Sequence, residues 1–161
     1  IKIQIKKADD FTIPRISQLT LKTNQFNLTT KRYQEETIRN FTKSKTMIVE
    51  CVHVEDKFGD SGITGVYIIQ ESDNKEWYLD TFLMSCRIMG KEIEKGIIAY
   101  IIEKAKLEGI KKIKAQYMST KKNKPCENFL SDCGFKIKDD YYIFDIENSI
   151  VKTPRHLTII K

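Results

Sequence analysis

Hydrophobic and polar residues alternate along several segments of the chain, which is the pattern of β-strands with one buried face. The longest of these segments are rich in β-branched residues, and residues that favour turns separate them. The pattern predicts seven strands, at residues 1–7, 46–54, 62–70, 76–84, 110–118, 136–137 and 141–146. Within the fourth strand, strict alternation predicts one face with Trp77, Leu79 and Thr81, and the opposite face with Tyr78, Asp80 and Phe82.

A helical repeat of apolar residues predicts four helices between the strands. The clearest is Lys91 to Leu107, where isoleucines recur four residues apart and Gly109 follows as a C-cap. Shorter helices are predicted after the capping segment Asp9 to Thr12, from Gln34 to Phe41 and from Pro125 to Asp132. Strand–helix–strand units joined to hairpins indicate an α/β fold, with a mixed central sheet of about seven strands and helices on both faces.

Composition and charge indicate a single globular domain and argue against a nucleic-acid-binding protein. The 161 residues suit one domain of ordinary composition, with 40% hydrophobic and 31% charged residues. The net charge of +6 comes from 28 basic and 22 acidic residues mixed along the chain, which is typical of a solvated surface and not of a nucleic-acid-binding face. A moderately basic domain would also suit an anionic partner, such as coenzyme A or an acidic carrier protein.

Hydropathy argues against a membrane or secreted protein, and cysteine spacing argues against a metal-binding one. No apolar run approaches the roughly 20 residues that span a bilayer, and no segment has the pattern of a signal peptide, so we expect a cytoplasmic protein without membrane contact. The four cysteines include no Cys-x-x-Cys pair, and only two histidines accompany them. We therefore expect reduced thiols and no metal site.

The segment between the fourth strand and the clearest helix carries a family resemblance. Arg87-Ile88-Met89-Gly90-Lys91-Glu92 resembles the Arg/Gln-x-x-Gly-x-Gly/Ala turn of GNAT acyltransferases, and the order of elements resembles theirs as well. Free amides at a helix N-terminus attract phosphate, and a glycine lets the ligand approach closely. The resemblance implies pyrophosphate binding at this turn, with the pantetheine arm between strands 76–84 and 110–118. Glu92 departs from the pattern and would place a negative charge there.

A second stretch, Asn123 to Phe135, resembles the Asn-x-x-Ala-x-x-Phe-Tyr-x-x-x-Gly-Phe pattern of the same family. The resemblance implies that Asn123 hydrogen-bonds near the pantetheine. Leu130 stands where the family has a tyrosine that often protonates the departing thiolate. Because leucine carries no transferable proton, this substitution argues against standard acetyl transfer.

Candidate site residues follow from the GNAT resemblance. It implies an acetyl-CoA, other acyl-CoA or phosphopantetheine thioester, held by Phe82, Leu83, Met84, Arg87, Met89, Gly90, Lys91 and Asn123. Backbone amides of the fourth strand would polarise the thioester carbonyl, and Asp80 is the candidate base. The polar loop Thr23 to Thr30 either lines the acceptor side, through Asn24, Gln25, Phe26 and Asn27, or bonds to itself in local turns.

A narrower resemblance covers about residues 12 to 135. Segments 15–33, 58–63 and 80–90 are similar to FkbH-type proteins of glyceryl-carrier and polyketide biosynthesis. It implies that residues 1–161 form a single GNAT-like domain, a fragment of a longer protein. An upstream haloacid-dehalogenase-like domain would then transfer a glyceryl unit to an acyl carrier protein. That chemistry needs an Asp-x-Asp loop with Mg²⁺, and no such loop occurs in these residues.

Two functional hypotheses remain open at this point. The first is an N-acyltransferase-like domain that uses an acyl-CoA or acyl-carrier thioester. The second is a non-catalytic docking domain that holds a carrier protein's phosphopantetheine arm for the upstream domain. Leu130 and Glu92 favour the second hypothesis, whereas Asn123 and the turn at Arg87 and Gly90 fit both.

Overall fold

Nine strands of the described residues form one mixed sheet. The structure is a computed structural model that describes residues 1–149 and 152–160. The strands are β1 (Lys2–Lys7), β2 (Phe26–Asn27), β3 (Met47–Asp56), β4 (Gly59–Glu71), β5 (Glu76–Met84), β6 (Lys112–Ala115), β7 (Lys136–Lys138), β8 (Tyr141–Asp145) and β9 (Thr158–Ile160). The prediction of about seven strands missed β2 and β9, because segments of two and three residues are too short to show alternation.

Four α-helices accompany the sheet in the described part of the chain. They are α1 (Ile13–Lys22), α2 (Glu35–Lys43), α3 (Ile93–Leu107) and α4 (Phe129–Asp132). Reciprocal hydrogen bonds between Asp9 and Thr12 form the turn that leads into α1. At the C-terminal end of α3, Gly109 takes a φ of 75° and ends the helix as predicted.

The strand order of the sheet is β7-β8-β6-β5-β4-β3-β1-β9, and β2 pairs separately with β5. Strands β5 and β6 run parallel, as do β1 and β9, while the other pairs are antiparallel. The predicted mixed α/β sheet is therefore confirmed.

Two hydrophobic cores lie on opposite faces of this sheet. The larger core packs α3 and the segment around α4 against one face, with Trp77, Phe82 and Phe144 among its fully buried side chains. The smaller core packs α1 and α2 against the other face through residues such as Ile16 and Ile38. Helices on both faces are confirmed, and each face of the sheet is covered by its own pair of helices.

Strand β5 carries a β-bulge at Asp80. Leu79 and Thr81 pair with two consecutive residues of β4, so Asp80 between them has no partner on that strand. The extra residue reverses the alternation beyond it, and Leu79 and Phe82 consequently lie in the same core. The prediction that these two side chains face opposite sides of the sheet is wrong, because strict alternation assumed an unbroken ladder.

Several element boundaries also differ from the sequence-based prediction. The β3–β4 hairpin turns at residues 57–58 alone, since Gly59 and Gly62 adopt φ values of 137° and 71° that let strand pairing continue through the predicted turn. Strand β6 ends at Ala115, three residues earlier than predicted. The helix predicted from Pro125 to Asp132 is divided into a 3₁₀ turn (Lys124–Cys126) and α4.

Candidate functional site

The parallel strands β5 and β6 part in the middle of the sheet. Their pairing ends at Leu79 and Ala115, although β5 continues to Met84. Beyond this point β2 takes up the free edge of β5, with Phe26 opposite Met84 and Asn27 opposite Leu83. Because β4 covers the other edge of β5 over the same residues, β2 occupies the edge that β6 has left. The predicted separation of β5 and β6 is present, and β2 of the same chain fills the gap between them.

Asn123 locks this segment in place. Its side-chain amide donates to the Asn27 carbonyl at 3.0 Å and to the Met118 carbonyl at 2.9 Å, while its oxygen accepts from Tyr117 Oη and the Thr120 amide. The Asn123 side chain is fully buried, and all four of its hydrogen-bonding capacities are used inside the protein. In this structure the Asn123 side chain serves as a structural bridge, and the cofactor contact that the resemblance implies stays a prediction.

The predicted cofactor and substrate residues divide into buried and accessible groups. The strand residues Phe82, Leu83 and Met84 are no more than 1% exposed, and Phe26 and Asn27 are similarly enclosed. Asn27 also bonds to its own loop, through the Thr23 carbonyl and the Thr30 amide. The accessible predicted residues are Asn24, Gln25, Arg87, Met89, Gly90 and Lys91.

The turn from Gly90 into α3 presents unpaired backbone amides. Among the described residues, the amides of Gly90 to Ile93 donate no hydrogen bond to the protein. Gly90 has a φ of 83°, and Glu92 is left-handed at 60°, so the backbone bends sharply before the helix. The Glu92 carboxylate pairs with Lys95 at 3.2 Å, which partly balances the charge that departs from the family pattern. This geometry can accept an anion on the helix N-terminus.

A cavity of about 350 Å³ opens on the α1 side of the same region, and we name it the α1 cavity. It brings α1, the loop after it and the end of β5 together. Its lining consists of Arg15, Leu19, Lys22, Thr23, Asn24, Gln25, Met84, Ser85 and Cys86. The predicted acceptor residues Asn24 and Gln25 thus lie beside the start of the predicted phosphate turn. The predicted loop residues Phe26 and Asn27 do not line it.

Arg15 lines the α1 cavity, and Arg87 directly follows its lining residue Cys86. Arg15 donates to the Ile63 carbonyl at 3.1 Å, and Arg87 reaches the Ser61 carbonyl at 3.4 Å. Burial, and secondarily the nearby charge of Arg87, lower the pKa of Arg15. Both guanidiniums are thus anchored to β4, on carbonyls two residues apart.

Asp80 lies at the centre of a polar network on the bulge. Its two carboxylate oxygens accept from Lys31 Nζ at 2.8 Å, Tyr33 Oη at 2.8 Å and Thr81 Oγ1 at 2.9 Å. Burial, and then the Asp80 carboxylate, raise the pKa of Tyr33 well above its ordinary value, so the phenol stays a donor. Burial alone would lower the pKa of Lys31, but its bond to Asp80 outweighs that and raises it. The Asp80 carboxylate is thus engaged by three donors of the protein itself.

Leu130, which stands where the resemblance expects a tyrosine, is enclosed in the core. Leu130 is 1% exposed and packs in the larger core, next to the buried Phe129 and Cys133. Tyr117, two residues after the end of β6, donates to Asn123. Neither residue offers a free proton to the edge of β5.

Three of the four cysteines are buried, and Cys86 is exposed. Burial raises the pKa of Cys51 and Cys126 to about 11 and that of Cys133 to about 12. The residues that the structure describes contain no group of three or more His, Cys, Asp or Glu arranged to hold a metal ion. No helix in this part of the chain has the length and apolar character needed to cross a membrane.

Sequence reasoning missed several residues that shape the site. Lys31 and Tyr33 complete the Asp80 network, and Arg15, Lys22 and Arg32 surround or support the α1 cavity. A signal was available, because these residues fall within the segment 15–33 that resembles the FkbH-type family. Their roles depend on the pairing of β2 with β5, which the sequence pattern does not reveal.

Comparison with known proteins supports the fold class. No protein-family model and no curated protein matches the sequence. Among solved structures, an acetyltransferase of the GNAT family from Staphylococcus aureus matches with a TM-score of 0.66 and 14% identity, over 89% of this chain and 99% of that one. A candidate acetyltransferase from Salmonella typhimurium, solved with its cofactor acetyl-CoA, matches with a TM-score of 0.64 and 12% identity, over 93% and 97% of the two chains.

A variant of spermidine N-acetyltransferase from Vibrio cholerae matches with a TM-score of 0.68 and 11% identity, over 90% of this chain and 94% of that one. At such low identity these likenesses define the fold alone. The chain therefore has the fold of GNAT N-acyltransferases, built on a bulged central strand from which its parallel neighbour parts.

Proposed function

We propose that this domain binds the phosphate-bearing end of an acyl-CoA or acyl-carrier thioester at the turn before α3. The observation that supports this proposal most directly is the run of unpaired amides from Gly90 to Ile93 at the start of a 15-residue helix. Gly90 has open space where a side chain would stand, so a phosphate can approach the backbone. The acetyl-CoA in one of the similar structures supports a coenzyme A ligand for this fold.

The first form of this proposal is an N-acyltransferase-like domain. Transfer would need the thioester to lie along β5 beyond the bulge, where backbone amides can polarise its carbonyl. In the structure Phe26 and Asn27 pair with that edge, so this segment must leave before a thioester can replace it. Asp80 would then act as the base once the donors on its carboxylate are displaced.

The second form is a non-catalytic docking domain for a phosphopantetheine carrier. Two observations favour it: the edge of β5 is filled by β2, and Leu130 supplies no proton for a departing thiolate. The bridge from Asn123 to Asn27 makes displacement of β2 costly. On these grounds we favour docking over transfer, with an acyl carrier protein as the partner and the phosphate on the α3 turn.

Calorimetry with a matched pair of glycine variants tests the phosphate site. Gly90 and Gly109 both adopt positive φ, 83° and 75°, and neither has a neighbour within 4 Å of an added Cβ. Changing either to alanine therefore strains the backbone to a similar degree, about 1 kcal/mol. We expect Gly90→Ala to weaken coenzyme A binding about tenfold and Gly109→Ala to leave it unchanged. Equal affinities for both variants, or no binding by the unaltered protein, would contradict the proposal.

A second measurement separates transfer from docking. Acetyl-CoA and a phosphopantetheinylated carrier are each added while amide hydrogen exchange at Phe26 and Leu28 is followed. Transfer predicts faster exchange there with acetyl-CoA and release of free thiol when an amine is supplied. Docking predicts unchanged exchange, tighter binding of the modified carrier than of the unmodified one, and no thiol release.

The biosynthetic context is also a proposal. The resemblance of segments 15–33, 58–63 and 80–90 to FkbH-type proteins supports a domain that serves an upstream haloacid-dehalogenase-like domain. In that setting the domain would hold the carrier while the upstream domain charges its thiol. Glyceryl transfer to a carrier by the two domains together, compared with the upstream domain alone, tests this; equal rates would contradict it.

A further inference from the structure

Two guanidinium groups without an acidic partner are anchored to carbonyls two residues apart on β4, those of Ser61 and Ile63. Among the described residues, neither Arg15 nor Arg87 forms an ion pair with a carboxylate. Arg15 uses Nε and Nη1 to hold the Ile63 carbonyl and the Gln18 side chain, and Arg87 uses Nη2 to hold the Ser61 carbonyl. Each guanidinium has five N–H donors, so most of them remain available.

Like charges repel, and here Arg15 lines the α1 cavity while Arg87 directly follows its lining residue Cys86. A bound anion would convert that repulsion into attraction, and guanidinium groups match the oxygens of phosphate with paired hydrogen bonds. Lys22 is the second cation in the lining of the α1 cavity, beside Arg15. A dianionic ligand therefore suits the charge of this site better than a neutral one.

The polar wall of the α1 cavity is held in position before any ligand binds. Arg32 donates to the carbonyls of Thr20 and Thr23 at the end of α1 and to Asn24 Oδ1 at 2.5 Å. Asn24 lines the cavity, and its amide nitrogen has no hydrogen-bond partner among the described residues. Gln25 is exposed beside it and has no hydrogen-bond partner among the described residues.

We propose that the α1 cavity binds the phosphate group of a small phosphorylated ligand. Arg15 and Arg87 grip the phosphate, Lys22 adds charge, and Asn24 and Gln25 contact the rest of the ligand. A volume of about 350 Å³ is sufficient for a phosphate with a few further atoms. This site is separate from the amides of the α3 turn, and the inference does not rest on the function proposed above.

The test is titration of the whole chain with inorganic phosphate at about pH 8, where the ion carries close to two charges. Acetate at the same ionic strength is the comparison ligand. We expect saturable phosphate binding, and weaker or absent acetate binding. Arg15→Gln and Arg87→Gln should each weaken phosphate binding by about tenfold or more, since each removes charge-assisted hydrogen bonds. Arg39→Gln, which removes a half-buried arginine on α2 that pairs with Asp10, is the charge-matched control.

Nuclear magnetic resonance locates the bound ion. The side-chain amide signals of Asn24 and Gln25 should shift on phosphate addition, with smaller changes at the Gly90 amide. The proposal is overturned if the unaltered protein shows no saturable binding, if acetate binds equally well, or if Arg39→Gln weakens binding as much as the other variants. Shifts confined to the α3 turn would also overturn it. Because Arg87 is exposed, its variant keeps the test decisive even if Arg15→Gln destabilises the fold.

Discussion

Replacement of Asn123 by alanine distinguishes a structural bridge from a cofactor ligand. In the structure this side chain is fully buried and links the Asn27 and Met118 carbonyls with the Thr120 amide and Tyr117 Oη. Alanine would leave the two carbonyls and the amide without partners, whereas Tyr117 can still donate to the backbone carbonyl of residue 123, at 3.2 Å.

The expected loss follows from those three groups. A buried polar group that loses its partner costs about 1–3 kcal/mol, and partial relaxation toward water reduces the sum. We expect Asn123→Ala to lower the free energy of unfolding by about 3–5 kcal/mol, which is large for a single substitution. Urea denaturation followed by circular dichroism measures it. Asn128→Ala is the control, because Asn128 is exposed and makes no side-chain cap bond, and it should change stability by less than about 0.5 kcal/mol.

The opposite outcome would refute the reasoning. If Asn123 served a ligand rather than the fold, alanine would change the stability of the free protein by less than about 1 kcal/mol and would instead weaken coenzyme A binding. Hydrogen exchange adds a second check, because loss of the bridge should release Phe26 and Leu28 from the edge of β5 and speed their exchange more than that of strands β3 and β4.

Two further predictions concern α3. Gly96→Ala should destabilise the protein by about 1–2 kcal/mol, because the new Cβ would lie 2.7 Å from Leu157 Cδ1 and the better helix propensity of alanine offsets only part of that overpacking. Thermal denaturation measures the change, and a rise in Tm would contradict the predicted overpacking. Burial raises the pKa of Glu94, and one of its oxygens is buried without a hydrogen-bond partner. A raised pKa means that the protonated form suits the fold, so Glu94 contributes fully below its unfolded pKa and loses that contribution as pH rises through the folded value. Glu94→Gln should therefore stabilise the protein at pH 7 by less than about 1 kcal/mol, given its partial exposure, and give no gain at low pH. The midpoints of urea denaturation at pH 7 and at low pH measure this stability change, and Glu103→Gln, at an exposed glutamate, is the control. Equal effects of the two variants, or a gain for Glu94→Gln only at low pH, would contradict the prediction.

The sequence predicted the longer elements well and the local irregularities poorly. Strand β5 begins and ends at the predicted residues, and α3 differs by two residues only, because Glu92 takes a left-handed conformation before the helix. Period-two and period-four patterns are strong over nine or more residues. The bulge at Asp80 leaves no such pattern, since a single inserted residue mimics ordinary alternation on each side of it.

The site was harder to predict because its geometry depends on contacts distant in sequence. The bond from Asn123 to Asn27 spans 96 positions, and that from Lys31 to Asp80 spans 49. A polar segment such as 23–30 can line a cleft or seal one, and its composition is the same in both cases. The structure shows both outcomes side by side, with Asn24 accessible and Asn27 enclosed.

The distribution of thiols gives this protein a built-in point of attachment. Cys86 is exposed and lines the α1 cavity, whereas the three enclosed thiols stay protonated at neutral pH because burial raises their pKa to about 11 or 12. Thiolate is the reactive form, so a maleimide dye should modify Cys86 alone in the native protein. A fluorophore placed there would report ligand entry into the α1 cavity without any engineered residue.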